Sequence, residues 1–169
     1  INLLKNRGKA MQEAVPKGEG GMLAILGIEI NEINKILKDN FGSFQCYVAN
    51  DNTLGQTVVS GQTKSLDLLS EELNKKNIKF IKLSVSAPFH SPLMKSATEK
   101  MREKINQTDF SDPVIDIISN VTSKPHRKSE EIKRLLIDQI ENPVRWRESV
   151  INMISLGVNR FIILMQMKY

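Results

Sequence analysis

Hydrophobic residues near the start of the chain recur at helical spacing and stop at a glycine-rich turn. The pattern predicts a helix over 1–15. Its apolar positions are Leu3, Leu4, Met11 and Ala14. Arg7 lies on the same face, so a charged residue interrupts an apolar stripe. Pro16 and the glycines that follow it are typical of a chain break. We therefore treat 1–19 as one unit.

The next stretch, 20–85, alternates short apolar runs with helical stripes. Strands are predicted at 22–27, 45–49, 56–60 and 79–85, and helices at 31–38 and 63–75, the latter capped by Thr63. A turn over 51–55 separates the second strand from the third. The order β-α-β-β-α-β is that of a ferredoxin-like unit. We expect a small subdomain of this kind at 20–85, inserted in an α/β framework.

The remainder, 86–169, contains longer helices. Ser91 and Pro92 are typical of a helix start, and the stripe that follows is Leu93, Ala97, Met101 and Ile105. Ser129 with two glutamates predicts another helix start. That helix carries Gln139 within the stripe Ile132, Leu135, Leu136 and Ile140. A buried strand is expected at 114–118. After Asn142 and Pro143 a further helix is expected up to about Leu156, followed by a last strand at 158–164.

Composition narrows the class of protein. The 169 residues are 40% hydrophobic and 25% charged, enough to bury a core. The longest apolar runs are far too short to cross a bilayer, and the first residues are typical of a helix rather than a signal peptide. One cysteine, Cys46, excludes an internal disulfide and a multi-cysteine metal site and fits a reducing cytoplasm. The net charge of +5, with a pI near 9.3, allows an acidic partner without requiring nucleic acid.

Two histidines are candidates for proton transfer near neutral pH. His126 lies in the polar segment Ser-Lys-Pro-His-Arg-Lys, and we expect it to be an exposed loop residue without a role. His90 lies between a predicted strand end and a helix start, where rigid elements commonly hold catalytic loops. From its position alone, both a structural and a catalytic role stay open. Capping explains Ser91 well, so we do not take it as a nucleophile.

Other catalytic motifs are missing from the sequence. None of the nine glycines has a serine two positions on, so there is no Gly-x-Ser-x-Gly elbow. Cys46 lies in a predicted strand without basic neighbours and is interpreted as a small buried residue. No clustered ligands predict a metal site, and no glycine-rich phosphate loop is present. These features alone describe an incomplete enzyme or a protein that is not an enzyme.

Arg7 and Gln139 are both polar residues on otherwise apolar helical faces. A buried guanidinium is costly unless oxygen atoms meet its planar donor fork. Arg7 therefore either extends to solvent, pairs with an internal carboxylate, or binds a carboxylate of a substrate. Gln139 is either a polar residue at the edge of its stripe or part of a site.

Four segments taken together identify a family. They are Arg-Gly-Lys-Ala-Met-Gln-Glu-Ala-Val-Pro at 7–16, Asn-Thr-Leu-Gly-Gln-Thr-Val-Val-Ser-Gly at 52–61, Ser-Val-Ser-Ala-Pro-Phe-His-Ser-Pro-Leu-Met at 84–94, and Gln139 with Asn-Pro-Val-Arg-Trp at 142–146. In this order they resemble the arginine helix, the Asn-Ser-Pro-Gly-Gln turn, the catalytic-histidine loop and the Gln-x-x-Asn-Pro-Val-x-Trp segment of the malonyl-CoA:acyl-carrier-protein transacylases. The resemblance extends to about Phe161.

The resemblance implies a two-step acyl transfer in fatty acid biosynthesis. A serine attacks the malonyl thioester of coenzyme A, and the malonyl-enzyme then passes the group to the phosphopantetheine thiol of acyl carrier protein. It implies that His90 is the general base and acid and that Arg7 binds the malonyl carboxylate bidentately. By the same resemblance Gln139 positions the histidine, and Phe89 is typical of the malonyl-type loop.

The resemblance also implies the setting of this chemistry. A ferredoxin-like subdomain (20–85) would be inserted in part of an α/β-hydrolase-like core formed by 1–19 and 86–169. Malonyl-CoA and acyl carrier protein are the expected partners, with no nucleic acid, no membrane and a monomeric full-length enzyme. No metal or cofactor is expected, because coenzyme A enters as part of the substrate and phosphopantetheine is carried by the partner.

The chain departs from the family at both ends. The Gly-Gln-Gly-Ser-Gln loop and Gly-His-Ser-x-Gly elbow of the family are expected before Ile1, so the serine and the oxyanion-hole donors are missing from this sequence. We therefore expect the chain alone to be inactive. Where the family has a Gly-Pro-Gly turn after its last strand, this chain ends in Gln-Met-Lys-Tyr at 166–169.

Two alternatives stay open. The first is the acyltransferase domain of a polyketide synthase, which shares the chemistry. The second is a non-catalytic ferredoxin-like binding or regulatory module with helical extensions. RNA recognition by such a module is disfavoured, because the predicted strands carry few aromatic residues.

Overall fold

The computed structural model describes residues 2–40 and 44–162, in which helices accompany a four-stranded antiparallel sheet and a two-stranded ribbon. The helices are α1 (Asn2–Gln12), α2 (Ile30–Asp39), α3 (Thr63–Lys75), α4 (Lys95–Asn106), α5 (Ser129–Asp138) and α6 (Trp146–Ser155). The strands are β1 (Gly20–Leu26), β2 (Cys46–Thr53), β3 (Gln56–Gln62), β4 (Lys79–Lys82), β5 (Ile117–Ile118) and β6 (Pro125–His126). A 3-10 turn, Pro92–Met94, precedes α4.

The larger sheet has the strand order β2-β3-β1-β4, and every neighbouring pair is antiparallel. β2 and β3 form a hairpin around Leu54 and Gly55, where Gly55 adopts a φ of +70° that glycine tolerates without a steric penalty. Between 20 and 82 the elements occur in the predicted order. The first two strands begin or end a few residues from their predicted limits, and the fourth stops at Lys82.

β1 is buried on both faces because its two sets of alternating side chains meet different partners. Leu23 and Ile25 belong to a cluster with residues of α2 and α3, including Ile33 and Leu69. Met22 and its neighbours on the opposite face belong to a second cluster. The remaining members of that cluster are Ala24, Ala49, Val58, Leu83 and Phe89. The sheet is thus covered by helices on one side and by the His90 loop on the other.

A separate cluster joins α1, α4 and the end of α5. Its buried members from α4 are Ala97, Met101 and Ile105, three positions of the predicted stripe. The predicted stripe of α5 is partly wrong, because Leu136 is 39% exposed while Ile137 is buried. α1 packs on α4 through Ala10 and Met11 and so holds Arg7 over the same cluster.

The segment after Pro143 connects this helical part to the free edge of β2. Val144 forms a parallel bridge to Asn50, with hydrogen bonds from the Val144 amide to the Ala49 carbonyl (2.8 Å) and from the Asp51 amide to the Val144 carbonyl (3.0 Å). Arg147 then donates from Nε and Nη2 to the Asp51 carboxylate at 2.9–3.0 Å. Backbone pairing and a bidentate ion pair therefore fix α6 against the sheet.

We expect Arg147→Ala to lower the free energy of unfolding by about 1.5–3 kcal/mol. The variant leaves the Asp51 carboxylate, whose side chain is only 13% exposed, without its charged donors. Urea denaturation of the two proteins measures the difference. Arg134→Ala is the matched control, because Arg134 is 70% exposed and 3.9 Å from its partner Glu131; it should change stability by less than about 0.5 kcal/mol. Equal effects of the two variants would contradict the assignment.

Two strand predictions in the last third of the chain are wrong. In place of a buried strand over 114–118, the structure has only the two-residue β5, paired with β6, and Val114 is 92% exposed. Ile115 and Ile117 are also exposed, and within this run only Ile118 is half-buried. Residues 158–162 form no strand, because within the described residues their backbone pairs with no other strand. The last two residues of that prediction, 163–164, lie outside the described residues.

Two predicted caps have a different local structure. Gln62 occupies the N-cap of α3, and Thr63 is the first helical residue, with its hydroxyl donated to the Gly18 carbonyl (2.6 Å). Ser91 does occupy the N-cap of the 3-10 turn. Its hydroxyl, however, donates to the Pro88 carbonyl (2.6 Å) instead of accepting from the turn. Both hydroxyl groups donate to a carbonyl of a preceding loop, and neither caps a helix.

Candidate active site

His90 lies in the loop between β4 and the 3-10 turn, in a conformation that few residues adopt. Its φ is +58°, in the left-handed region, which costs of order 1–3 kcal/mol for a residue with a side chain. The buried residues Ala87 and Pro88 and the hydroxyl bond of Ser91 to Pro88 hold the loop on both sides. The surrounding packing thus fixes the backbone that carries the imidazole.

Arg7 extends from α1 toward the same place and is half-buried. Burial lowers the pKa of its guanidinium from the ordinary value. Its Nη2 donates to the side-chain oxygen Oε1 of Gln139. Among residues 2–40 and 44–162 no carboxylate lies within ion-pair distance of Arg7, so its charge has no internal counter-ion there.

Gln139 is the residue that connects Arg7 to His90. It forms the C-cap of α5, and its side-chain Nε2 lies 2.8 Å from His90 Nδ1. Its backbone carbonyl lies 3.2 Å from the same nitrogen. The three polar residues that the sequence analysis selected therefore meet, although they come from three separate segments of the chain.

The ring of His90 is held through one nitrogen. Both hydrogen-bonding contacts involve Nδ1, and within the described part of the chain Nε2 has no partner. Burial lowers the pKa of His90; the hydrogen bond to the Gln139 carbonyl opposes this shift, and the charge of Arg7 adds to it. The imidazole is therefore neutral at pH 7, and the residue borders two clefts.

Two clefts meet at His90. The first, of about 580 Å³, is lined by residues of α1, among them Arg7, and by Phe89 and His90. The second, of about 450 Å³, lies between α2 and β2 of the four-stranded sheet and the loop at Asn142 and Pro143, and it also reaches His90. The first cleft thus contains the Arg7 cation beside His90, and the second gives a ligand another route to the same imidazole.

This arrangement suits proton transfer next to a bound anion. A neutral imidazole can accept a proton at the ring nitrogen that has the lone pair, and a guanidinium without a carboxylate partner can bind a carboxylate bidentately. In the described ranges no group of three or more His, Cys, Asp or Glu residues could hold a metal ion. None of the helices described is both long and apolar enough to cross a membrane.

His126 does not have the predicted exposed position. Its side chain is only 9% exposed and lies in β6, with Nε2 2.7 Å from the Thr122 hydroxyl and Nδ1 3.1 Å from Glu131 of α5. The short β5–β6 ribbon causes this burial, and the polar sequence around His126 gave no sign of it. Glu131, in the first turn of a predicted helix close in sequence, was the one available signal.

Cys46 is buried at the start of β2, as predicted. Burial raises the pKa of its thiol to about 12, so the thiolate that would act as a nucleophile is scarce.

Comparison with known proteins gives a consistent result. The family model described as "Acyl transferase domain" matches residues 2–163. The malonyl CoA-acyl carrier protein transacylase of Bacillus subtilis is 40% identical over 164 residues, which are 96% of this chain and 52% of that protein. The chain thus spans about half the length of the curated relatives it matches.

Solved structures agree with the sequence comparison. The crystal structure of malonyl CoA-acyl carrier protein transacylase from Clostridium perfringens superimposes with a TM-score of 0.89 and 34% identity, covering 94% of this chain and 50% of that one. A malonyl-transacylase in complex with a type II PKS acyl-carrier protein superimposes with a TM-score of 0.88 and 33% identity, covering 93% and 51%. The four motifs, the mixed α/β fold and these matches agree: the chain belongs to the acyl transferase domain family.

Proposed function

We propose that this chain supplies the histidine and arginine of an enzyme that transfers malonyl from malonyl-CoA to the phosphopantetheine thiol of acyl carrier protein, in fatty acid biosynthesis. The observation that carries the proposal is that Gln139 contacts both Arg7 and His90, and that Arg7 and His90 line one cleft. A cation without an internal counter-ion beside a neutral imidazole suits an acyl group that carries a free carboxylate. The names of the relatives support the same substrate and partner.

The proposed reaction has two matched halves. His90 Nε2 removes the proton of a serine as the serine oxygen bonds to the malonyl carbonyl carbon; the carbon–sulfur bond then breaks, and the proton passes to the thiolate of coenzyme A. In the second half His90 takes the proton of the phosphopantetheine thiol, sulfur bonds to the carbonyl carbon, and the serine oxygen leaves and is reprotonated. We place the serine in the part of the relatives that this chain does not match.

Each site residue has a proposed role in this scheme. Arg7 binds the malonyl carboxylate, and Phe89 forms the wall of the cleft beside it. Gln139 positions His90 through contacts to Nδ1, which leaves Nε2 for the reacting groups. No cofactor is required, because both thiols belong to the substrate and the partner.

We propose the following organisation for the chain. Residues 20–85 form a ferredoxin-like subdomain, a proposal supported by the strand order β2-β3-β1-β4 with antiparallel neighbours. Residues 1–19 and 86–169 belong to a larger α/β-hydrolase-like core. We further propose a monomeric, cytoplasmic full-length enzyme that binds neither nucleic acid nor membrane, for which the single cysteine and the mild net charge are the support.

A chimeric enzyme tests the function. This chain would replace the matching half of the Bacillus subtilis transacylase, to which it is 40% identical. We expect the chimera to transfer labelled malonyl from malonyl-CoA to holo acyl carrier protein, and this chain alone to form no malonyl adduct. A folded chimera that transfers no faster than the Bacillus half by itself would contradict the proposal.

A polyketide pathway is the second candidate, favoured by the relative that is complexed with a type II PKS acyl-carrier protein. Rates of the chimera with fatty-acid and polyketide carrier proteins distinguish the two. Salt-dependent RNA binding by the chain, unaffected by malonyl-CoA, would instead support the non-catalytic binding module.

The pH dependence of the chimera follows from the lowered pKa of His90. The base is active only when neutral, so kcat/KM should be level at pH 7 and fall, by about tenfold per pH unit, only below the ordinary histidine value of 6.5. Because the charge of Arg7 contributes to the lowering, Arg7→Ala should move this acid limb to higher pH. The measurement is kcat/KM from pH 5 to 8; an acid limb above 6.5 in the unsubstituted chimera would contradict the assignment.

A further inference from the structure

We propose that the side chain of Gln139 makes His90 a base only when a carboxylate occupies Arg7. This inference rests on the proposed function and adds a control to the same site. It derives from one amide that contacts both the group that binds the carboxylate and the group that moves the proton.

The orientation of that amide follows from the chemistry of its neighbours. A guanidinium has only donors, so the Gln139 oxygen Oε1 must face Arg7. The NH₂ group at Nε2 must then face His90, at 2.8 Å from Nδ1. As long as Arg7 holds Oε1, the amide presents a donor to the histidine.

His90 Nδ1 therefore has two competing partners on one residue. The Nε2 donor of Gln139 requires a lone pair on Nδ1, whereas the Gln139 carbonyl, at 3.2 Å, requires a proton there. In a neutral imidazole one nitrogen carries the proton and the other the lone pair. The choice of partner at Nδ1 thus decides the state of Nε2.

The two states differ in catalytic ability. With the amide donating, Nδ1 accepts and the proton sits on Nε2, where it blocks removal of a proton from serine or thiol. With the carbonyl accepting, the proton sits on Nδ1 and Nε2 has the lone pair that the base needs. Solvent exchanges the proton between the nitrogens, so the net charge of the ring does not change.

A carboxylate ligand favours the second state. Charge-assisted hydrogen bonds from a guanidinium to a carboxylate are stronger than those to a neutral amide, so the ligand displaces Oε1 from Arg7. Without that anchor the amide can turn away from Nδ1, and the carbonyl becomes its partner. A ligand that lacks a carboxylate binds the two states equally well and therefore does not shift the equilibrium between the two tautomers of His90.

Selectivity for malonyl would then have two sources. Arg7 favours binding of acyl groups that carry a carboxylate, and the switch makes the base available only after they bind. A change of the Nδ1-protonated fraction from about one tenth to about nine tenths requires roughly 80-fold stronger binding to the active state, which is within the usual range of coupling between sites.

The tautomer of His90 can be measured directly in this chain by nitrogen-15 NMR of labelled histidine. With two histidines in the sequence, His126 serves as an internal reference for folding. We expect His90 to carry its proton on Nε2 in the free chain and on Nδ1 when monomethyl malonate is added. Dimethyl malonate, which has no carboxylate, is the matched ligand and should cause no change.

Two variants test the switch without a ligand. Arg7→Ala frees Oε1 and Gln139→Ala removes the donor, so in each the proton should already reside on Nδ1. Arg134→Ala, at an exposed site on α5, should behave as the unsubstituted chain does. An Nδ1 proton in the unsubstituted free chain, or an unchanged tautomer in either folded variant, would overturn the proposal.

Activity separates failure of the switch from failure of the function. In the chimera, Gln139→Ala should reduce the ratio of malonyl to acetyl transfer at saturating substrate by about tenfold, because the base no longer depends on the carboxylate. Transfer with an unchanged ratio would reject the switch and keep the proposed function. A chimera without transfer would reject the function, while the NMR result would still decide the tautomer.

Discussion

His90→Ala is expected to lower malonyl transfer by the chimera by roughly 10²–10⁴-fold, the usual contribution of a positioned general base. Nε2 of His90 is the nitrogen left without a partner among the described residues, and in the proposed scheme it moves the proton in both halves of the reaction. Because a single group serves both halves, no step avoids the loss. The assay is the steady-state rate of labelled malonyl transfer to holo acyl carrier protein.

A second substitution separates the base from the backbone that carries it. The φ of +58° at residue 90 disfavours alanine, whereas asparagine tolerates the left-handed region well. His90→Asn should therefore retain the loop and still lose the activity. The control is His126→Ala, because the His126 ring contacts Thr122 and Glu131 and not His90; transfer should stay within a few-fold. Unchanged transfer in His90→Asn would remove His90 from the mechanism.

Arg7→Ala should have the second largest effect, and on selectivity rather than on chemistry alone. Loss of a charged hydrogen-bonding partner in such a site costs about 2–4 kcal/mol, which corresponds to a decrease of about 30- to 1000-fold in kcat/KM for malonyl-CoA. Acetyl-CoA lacks the carboxylate, so its kcat/KM should not show this loss. The measurement is the ratio of the two values.

Two further substitutions serve as controls for Arg7→Ala. Arg7→Lys keeps the charge but not the planar fork, so it should restore only part of the preference for malonyl. Lys75→Ala removes a cation of α3 whose side chain is 72% exposed and which does not line the cleft, so it should leave the ratio unchanged. A preference for malonyl that survives in Arg7→Ala would exclude Arg7 as the carboxylate site.

The sequence predicted where helices and strands occur better than it predicted which of their side chains are buried. Strand β1 and helix α4 followed from the spacing of their own apolar residues, and both elements have packing partners in the described chain. The run at 114–118 has an equally apolar pattern, yet its burial depends on which element lies beside it. A one-dimensional pattern does not contain that information.

At the site, the sequence likewise indicated which residues are unusual but not which residues contact each other. The anomaly of Arg7 and Gln139 on apolar faces was visible in the sequence, and so was the loop position of His90. Their mutual contacts were not, since the three segments meet only through the packing of α1, α4 and α5. The burial of His126 was missed for a similar reason, because the ribbon that encloses it is only two residues long on each side.

The attachment of Val144 and Arg147 to the edge of β2 fixes the spacing between the sheet and Gln139. An inserted or deleted residue between 139 and 147 would shift either the edge pairing or the amide at Arg7 by the length of a residue, about 3.3 Å. Loop-length variation should therefore be tolerated poorly here. A designer who exchanges the four-stranded sheet between members of the family should transfer 139–147 with it, and should place the junctions outside that segment.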